Sequence, residues 1–284
     1  MKLHVFAWIA LAGVSQSQAP PWKGPKEPVY VVMTNRSSEG SGANDTKFGD
    51  LLMVQIFPES AVPQDGSRPD GKRIYEIGKA VPFFIDGHRR GTVRIARLKD
   101  HQCDGVAAIA VPSESFAKDL IGLATNISGI PDRSSFRREA TAPEKDAVVR
   151  IAIREFLRNS VQSSLMTRVN VRYLLSIRTD DSDEPTLIGS FFVQSKSERH
   201  DVFVIARAEK SGVRLEYSEY SQTEDLEDFT DHASIKYVDH LDLDGDASDE
   251  VMLKILGYES EGYEILTRES GHWRVAATGG GSGC

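Results

Sequence analysis

The sequence predicts an α+β fold: a mixed N-terminal region with two helices, then a C-terminal antiparallel β meander. Three observations carry that expectation. Thr141 to Arg158 combines helix-capping residues with helical apolar spacing. Short β-rich segments separated by Gly, Asp and Ser turns fill the chain from residue 167 onward. Earlier segments such as Thr92–Leu98 alternate apolar and polar residues, as a half-buried strand does. No internal repeat is visible, so the meander reads as a sandwich or as propeller-blade-like rather than as a full propeller.

In chain order, residues 1–19 have the form of a secretory signal. Lys2 precedes a short apolar core, Leu3 to Val14, and Ser17-Gln18-Ala19 supplies small residues for cleavage. That core is too short to span a bilayer, and no other segment is long and apolar enough. The expected location is therefore secreted or periplasmic, with no membrane span. Residues 20–28 carry Pro20, Pro21, Pro25 and Pro28 and read as an extended linker.

An α+β region is expected over 29–165. Its strand segments are Val29–Met33, Leu51–Phe57, Ile74–Ile77, Val81–Ile85, Thr92–Leu98 and Val106–Val111, with Asp86-Gly87 and Asp104-Gly105 as turns. A first helix is expected from Ser113 to Ala124, with Phe116, Leu120 and Leu123 on one side. The second starts at the capping box Thr141-Ala-Pro-Glu144 and carries Val148, Val149, Ala152, Phe156 and Leu157 at three- and four-residue spacing. Arg150, Arg154 and Arg158 form a basic stripe on its other face.

Residues 166–284 form the expected β-rich region. Its strands are Val169–Ile177, Thr186–Gln194, Asp201–Ala208, Val213–Tyr220, Ser234–Leu241, Val251–Gly257, Tyr263–Thr267 and Trp273–Ala276.

The formal charge of −8 disfavours nucleic acid as a partner. The charge is also uneven: Glu216 to Glu250 holds thirteen acids against Lys236 alone, and Arg133 to Arg158 holds seven bases against four acids. The two cysteines, Cys103 and Cys284, are candidates for a disulfide in an oxidising compartment, and two separated cysteines do not make a zinc site.

The densest chemical signal is Asp242-Leu-Asp244-Gly-Asp246-Ala-Ser248-Asp249-Glu250, five acids in nine residues. Such a cluster repels itself unless a positive charge sits among the oxygens. Ca²⁺ suits it, because that ion takes six to eight oxygens in flexible geometry. The run resembles the calcium loop of FG-GAP-type repeats in integrin-alpha-like propellers, present here in a single copy. The stretch after it, Gly257 to Trp273, is similar to the tail of various secreted bacterial proteins. The resemblance implies Asp242, Asp244 and Asp246 as side-chain ligands, Ser248 through its backbone carbonyl, and Glu250 closing the site. Asp249 would then point away or act from outside the ligand set. Ala247 stands where that pattern carries glycine.

No complete catalytic set accompanies the loop. Ser115-Phe-Ala-Lys118 has the spacing of an acylating serine and lysine but lacks the companion Lys-Thr-Gly. The histidines His200, His232, His240 and His272 are scattered singly. The expectation is an exported, non-catalytic binding or envelope-structural protein whose ligand is another protein or a glycan. Its rivals are a hydrolase assembled from distant residues, for example carboxylates of 224–231, and an adhesion module using Tyr217, Tyr220 and Tyr258.

Overall fold

The computed structural model describes residues 22, 24–34, 51–58, 71–100, 106–114, 120–131, 137–224, 234–257 and 260–283. Six strands close an antiparallel barrel in the order β1-β2-β5-β4-β3-β6. They are β1 (Val29–Thr34), β2 (Leu51–Phe57), β3 (Ala80–Ile85), β4 (His88–Asp100), β5 (Val106–Pro112) and β6 (Ile121–Thr125). A second sheet runs in sequence order from β7 (Arg137–Glu139) through β8 (Asn170–Ile177), β9 (Thr186–Gln194) and β10 (Glu198–Glu209) to β11 (Gly212–Glu224). The third is a four-stranded meander of β12 (Ser234–Leu241), β13 (Glu250–Leu256), β14 (Ser260–Glu269) and β15 (His272–Gly283). Among the described residues, helical structure is confined to α1 (Gly71–Ile74), α2 (Ala142–Arg158) and a 3-10 turn at Ser163–Arg168.

This corrects the α+β expectation. Of the described residues 61% are strand and 13% helix, so the protein is nearly all-β. Two segments account for the error. Ile121–Thr125, the end of the expected first helix, is a strand that closes the barrel between β1 and β3. A Cβ on Gly122 would lie 2.3 Å from the Phe84 carbonyl oxygen, so only glycine permits that approach. Tertiary pairing overrides the local helical spacing there. Ile74–Ile77, expected as a strand, instead begins on the last residue of a single helical turn and delivers Tyr75 into the barrel. The Tyr75 hydroxyl accepts the Gln55 N–H at 2.9 Å and donates to the Met53 carbonyl at 3.2 Å.

The layers follow from period-2 alternation of apolar side chains. Tyr30 and Val32 of β1 face the barrel interior with Met53, Val81, Phe83, Val93 and Ile95. Val29 and Val31 face outward onto Val238, Leu241, Met252 and Ile265 of the third sheet. The opposite face of that sheet, with Ile235, Val251, Leu253 and Leu266, packs on Ile177, Ile188, Phe203 and Ile205 of the second. The far face of the second sheet, with Phe191, Val202 and Val204, receives Val148, Ile151, Ala152 and Phe156 of α2. Barrel, third sheet, second sheet and α2 thus stack as successive layers. Strands between two cores carry continuous apolar runs such as Val251-Met252-Leu253, because both their faces are buried. Segments β7 and α2, though N-terminal to residue 166, belong to the second sheet and its covering layer.

The expected α2 is present with its capping box. Both the Thr141 N–H and the Thr141 hydroxyl donate to Glu144 Oε2, at 2.7 and 2.9 Å. Leu157 departs from its expected burial, being 45% exposed, and Ile151 takes the core position instead. Arg150, Arg154 and Arg158 lie on the exposed face. Arg138 grips Glu144 with two N–H groups at 2.7 Å each and holds its carboxyl down at about 2. A carboxylate depressed in this way contributes stability that is present above its ordinary value of 4.5 and lost as pH falls toward about 2. Glu144→Gln is therefore expected to flatten the acid limb of the stability–pH curve across that window. Amide exchange in the first turn of α2 at two pH values checks it.

None of the described helices is long and apolar enough to cross a membrane. The expected signal segment, Cys103, Cys284, Lys118, His232 and Tyr258 lie outside the described residues.

Candidate metal centre

β12 and β13 pair antiparallel with Leu241 opposite Glu250, so residues 242–249 close a hairpin between them. The aspartates shape this turn by accepting backbone N–H groups a few residues ahead, as short carboxylate side chains do in loops. Asp242 accepts Gly245 N–H at 2.7 Å on one oxygen and Ala247 N–H at 3.2 Å on the other. Asp244 Oδ1 accepts Asp246 N–H at 3.1 Å, and Asp246 Oδ1 accepts Ser248 N–H at 2.7 Å. The backbone turns through positive φ at Gly245 (82°) and at Ala247 (71°). Ala247 thus holds the left-handed conformation that glycine adopts without strain, at a cost of about 1 kcal/mol or more.

The turn brings one oxygen each from Asp242, Asp244 and Glu250 within 4.8 Å of one another. Asp242 and Glu250 are 5% and 1% exposed, whereas Asp244 sits on the rim. Two unit charges at such a separation repel by roughly 3 kcal/mol at an effective dielectric constant of about 20. Burial pushes the Glu250 carboxyl up to about 8, with Asp244 and Asp246 adding to the rise. Burial and then Asp246 and Asp242 also raise Asp244. Both shifts favour the protonated form of these carboxyls when no cation is bound. The three carboxylates could hold a metal ion.

Asp246 lies exposed outside this converging trio, and the Ser248 hydroxyl is buried without a hydrogen-bond partner. The Asp249 side chain turns away from the trio, its Oδ2 3.7 Å from His240 Nε2. The other ring nitrogen of His240 shares a 2.6 Å hydrogen bond with the Tyr237 hydroxyl. Beside them the buried Asp239 accepts the His240 and Gly87 N–H groups at 2.8 and 3.3 Å, tying the β3–β4 turn to β12. Burial, chiefly, raises the Asp239 carboxyl far above its usual range. Tyr237, His240 and Asp249 resemble a catalytic relay in composition, but every member is buried.

Several partners of the loop were invisible to motif reading. The Thr267 hydroxyl donates to Glu250 Oε1 at 3.1 Å, and Leu243 N–H to its Oε2 at 2.8 Å. Asp249 N–H donates to the Thr179 carbonyl at 2.6 Å, and Ser248 bridges Asp180, so the loop is sewn to the β8–β9 connection. The Trp22 indole N–H reaches Asp244 Oδ2 at 3.2 Å. Thr267, Thr179, Asp180 and Trp22 are remote from the loop in sequence, and no spacing rule signals them.

Among the described residues the remaining candidates do not come together in a second site. Tyr217 packs among the residues between the second and third sheets, and Tyr220 packs in the α2 layer, so the two rings lie on opposite faces of β11. Of the acidic stretch 224–231 only the backbone of Glu224 is described. No family model, curated protein or solved structure matches this chain.

Proposed function

We propose that the chain is an exported, non-catalytic binding or envelope-structural protein stabilised by one Ca²⁺ in the 242–250 loop. One observation carries the reading: Asp242, Asp244 and Glu250 present their oxygens to one point, two of them from buried positions. The donor set is all oxygen, which suits a hard cation and leaves soft metals without a thiolate or imidazole ligand. In this reading the loop is a single FG-GAP-type calcium turn, with Asp246 and the Ser248 carbonyl completing the ligand set. Its role is mechanical. The ion neutralises the trio and stiffens a turn that touches the second sheet through Thr179 and Asp180. Export through residues 1–19, to the periplasm or the exterior, would supply the calcium. A protein or glycan ligand remains the proposed partner class.

The test is thermal or chemical unfolding in calcium and in EDTA. A cation bound only by the folded state adds about 2.7 kcal/mol when present at a hundred times its Kd. Asp244→Ala, a change at an exposed side chain, should abolish that gain while leaving the EDTA-treated protein folded. Coincident unfolding curves with and without calcium would overturn the reading.

A further inference from the structure

Trp22 lies 222 residues from Asp244 in sequence, yet its indole N–H meets Asp244 Oδ2 at 3.2 Å. Two features bring it there. The Trp22 ring packs edge-on against Phe57 of β2, with centroids 5.4 Å apart and planes at 67°. Gly24, with φ of +62°, lets the chain cross the Phe57 ring, where a Cβ would come within 2.5 Å of Phe57 Cζ. The segment leading into β1 is thus strapped over β2, with its indole laid on the acidic loop.

We propose that Trp22 is a positioning residue of the cation loop: it orients Asp244, so that cation binding and docking of this N-terminal strap reinforce each other. The inference rests on the cation reading above and adds the strap to it. Asp244 is the exposed member of the trio, and the like charges of Asp246 and Asp242 act on it. The Asp246 N–H on Oδ1 and the Trp22 N–H on Oδ2 hold its carboxylate plane in place. A carboxylate oxygen has lone pairs enough to accept that N–H while its partner oxygen binds a cation. The coupling is reciprocal: whatever the strap adds to cation affinity, the cation adds to strap docking.

The experiment compares the full chain with its Trp22→Phe variant, which keeps an aromatic ring on Phe57 and removes the N–H. Calorimetry measures Ca²⁺ affinity, terbium luminescence excited through tryptophan measures proximity, and trypsin cleavage after Lys26 measures docking. In the unsubstituted protein we expect saturable, calcium-displaceable terbium emission and slower cleavage when calcium is added. In Trp22→Phe we expect about tenfold weaker Ca²⁺ binding, in the range of lost outer-shell partners. We also expect loss of most sensitised emission and no effect of calcium on cleavage. Equal affinity, equal emission and calcium-insensitive cleavage in both proteins would overturn the inference and leave the cation reading intact. Absence of calorimetric Ca²⁺ binding in the unsubstituted protein would overturn both.

Discussion

Glu216→Ala is expected to destabilise the protein by about 3–5 kcal/mol, the range for breaking one side of a buried ion pair. The Glu216 side chain, on β11, is 0% exposed and is surrounded by donors. It accepts Arg268 Nε and Nη2 at 2.9 and 2.6 Å, the Trp273 indole N–H at 3.0 Å and Arg214 Nη2 at 2.8 Å. Arg268 reaches on to Asp180 at 3.3 Å, and Asp180 pairs with the buried Arg207 at 2.6 Å. These charges run along the contact between the second and third sheets. Removing the carboxylate leaves the Arg268 guanidinium with Asp180 alone and the buried Trp273 indole N–H without its acceptor, and burial makes that costly. Equilibrium denaturation measures the loss. Glu209→Ala, which removes only a surface partner of Arg214, serves as the control and should barely move the midpoint. A Glu216 effect as small as the control would show that the network is dispensable.

Gly279→Ala is expected to cost about 3 kcal/mol, the upper part of the range for overpacking. β15 crosses β2 with its backbone against the β2 backbone. A Cβ on Gly279 would lie 2.3 Å from the Ile56 carbonyl oxygen and 3.2 Å from its carbon. Neither atom belongs to a flexible side chain, so the strands themselves must part. The parting would loosen Ile56 and Tyr263, both in the core between barrel and third sheet. Gly280 reinforces the requirement through its φ of +64° and the Gln55 carbonyl 2.9 Å from where a Cβ would sit. Gly279 and Gly280 are therefore packing devices. Gly262→Ala is the matched control, since a Cβ there meets nothing within 4 Å. Equal melting temperatures for the two variants would refute the close-approach account.

Much of the strand inventory was legible because burial on one or both faces leaves a local trace. Leu51–Phe57, Thr186–Gln194 and Ser234–Leu241 match the sequence reading to the residue. Turn residues bound each of them. The failures fall where a local pattern conflicted with a distant partner. Leu120 and Leu123 have helical spacing, but the chain there fills the gap between β1 and β3. Arg137–Glu139 carries no strand signal and is one only because β8 offers its edge. In the loop, the acidic composition marked the turn, and of the expected ligand side chains the structure brings Asp242, Asp244 and Glu250 together but leaves Asp246 outside. The resembled pattern carries glycine where Ala247 stands, and the backbone at Ala247 has positive φ. Asp249 lies outside the trio, as the resemblance implied, but nothing in the sequence pointed to His240 as its neighbour.

By itself the sequence determined most of the strands, the capped helix and the position and composition of the acidic turn, because these depend on neighbours within a few residues. Only the tertiary structure decided that the fold is nearly all-β, that two sheets and a barrel stack into continuous cores, and that Thr267, Thr179 and Trp22 gather around the loop. Those contacts join residues as far as 222 positions apart, and the chain leaves no periodic mark of a meeting that exists only once the layers have packed.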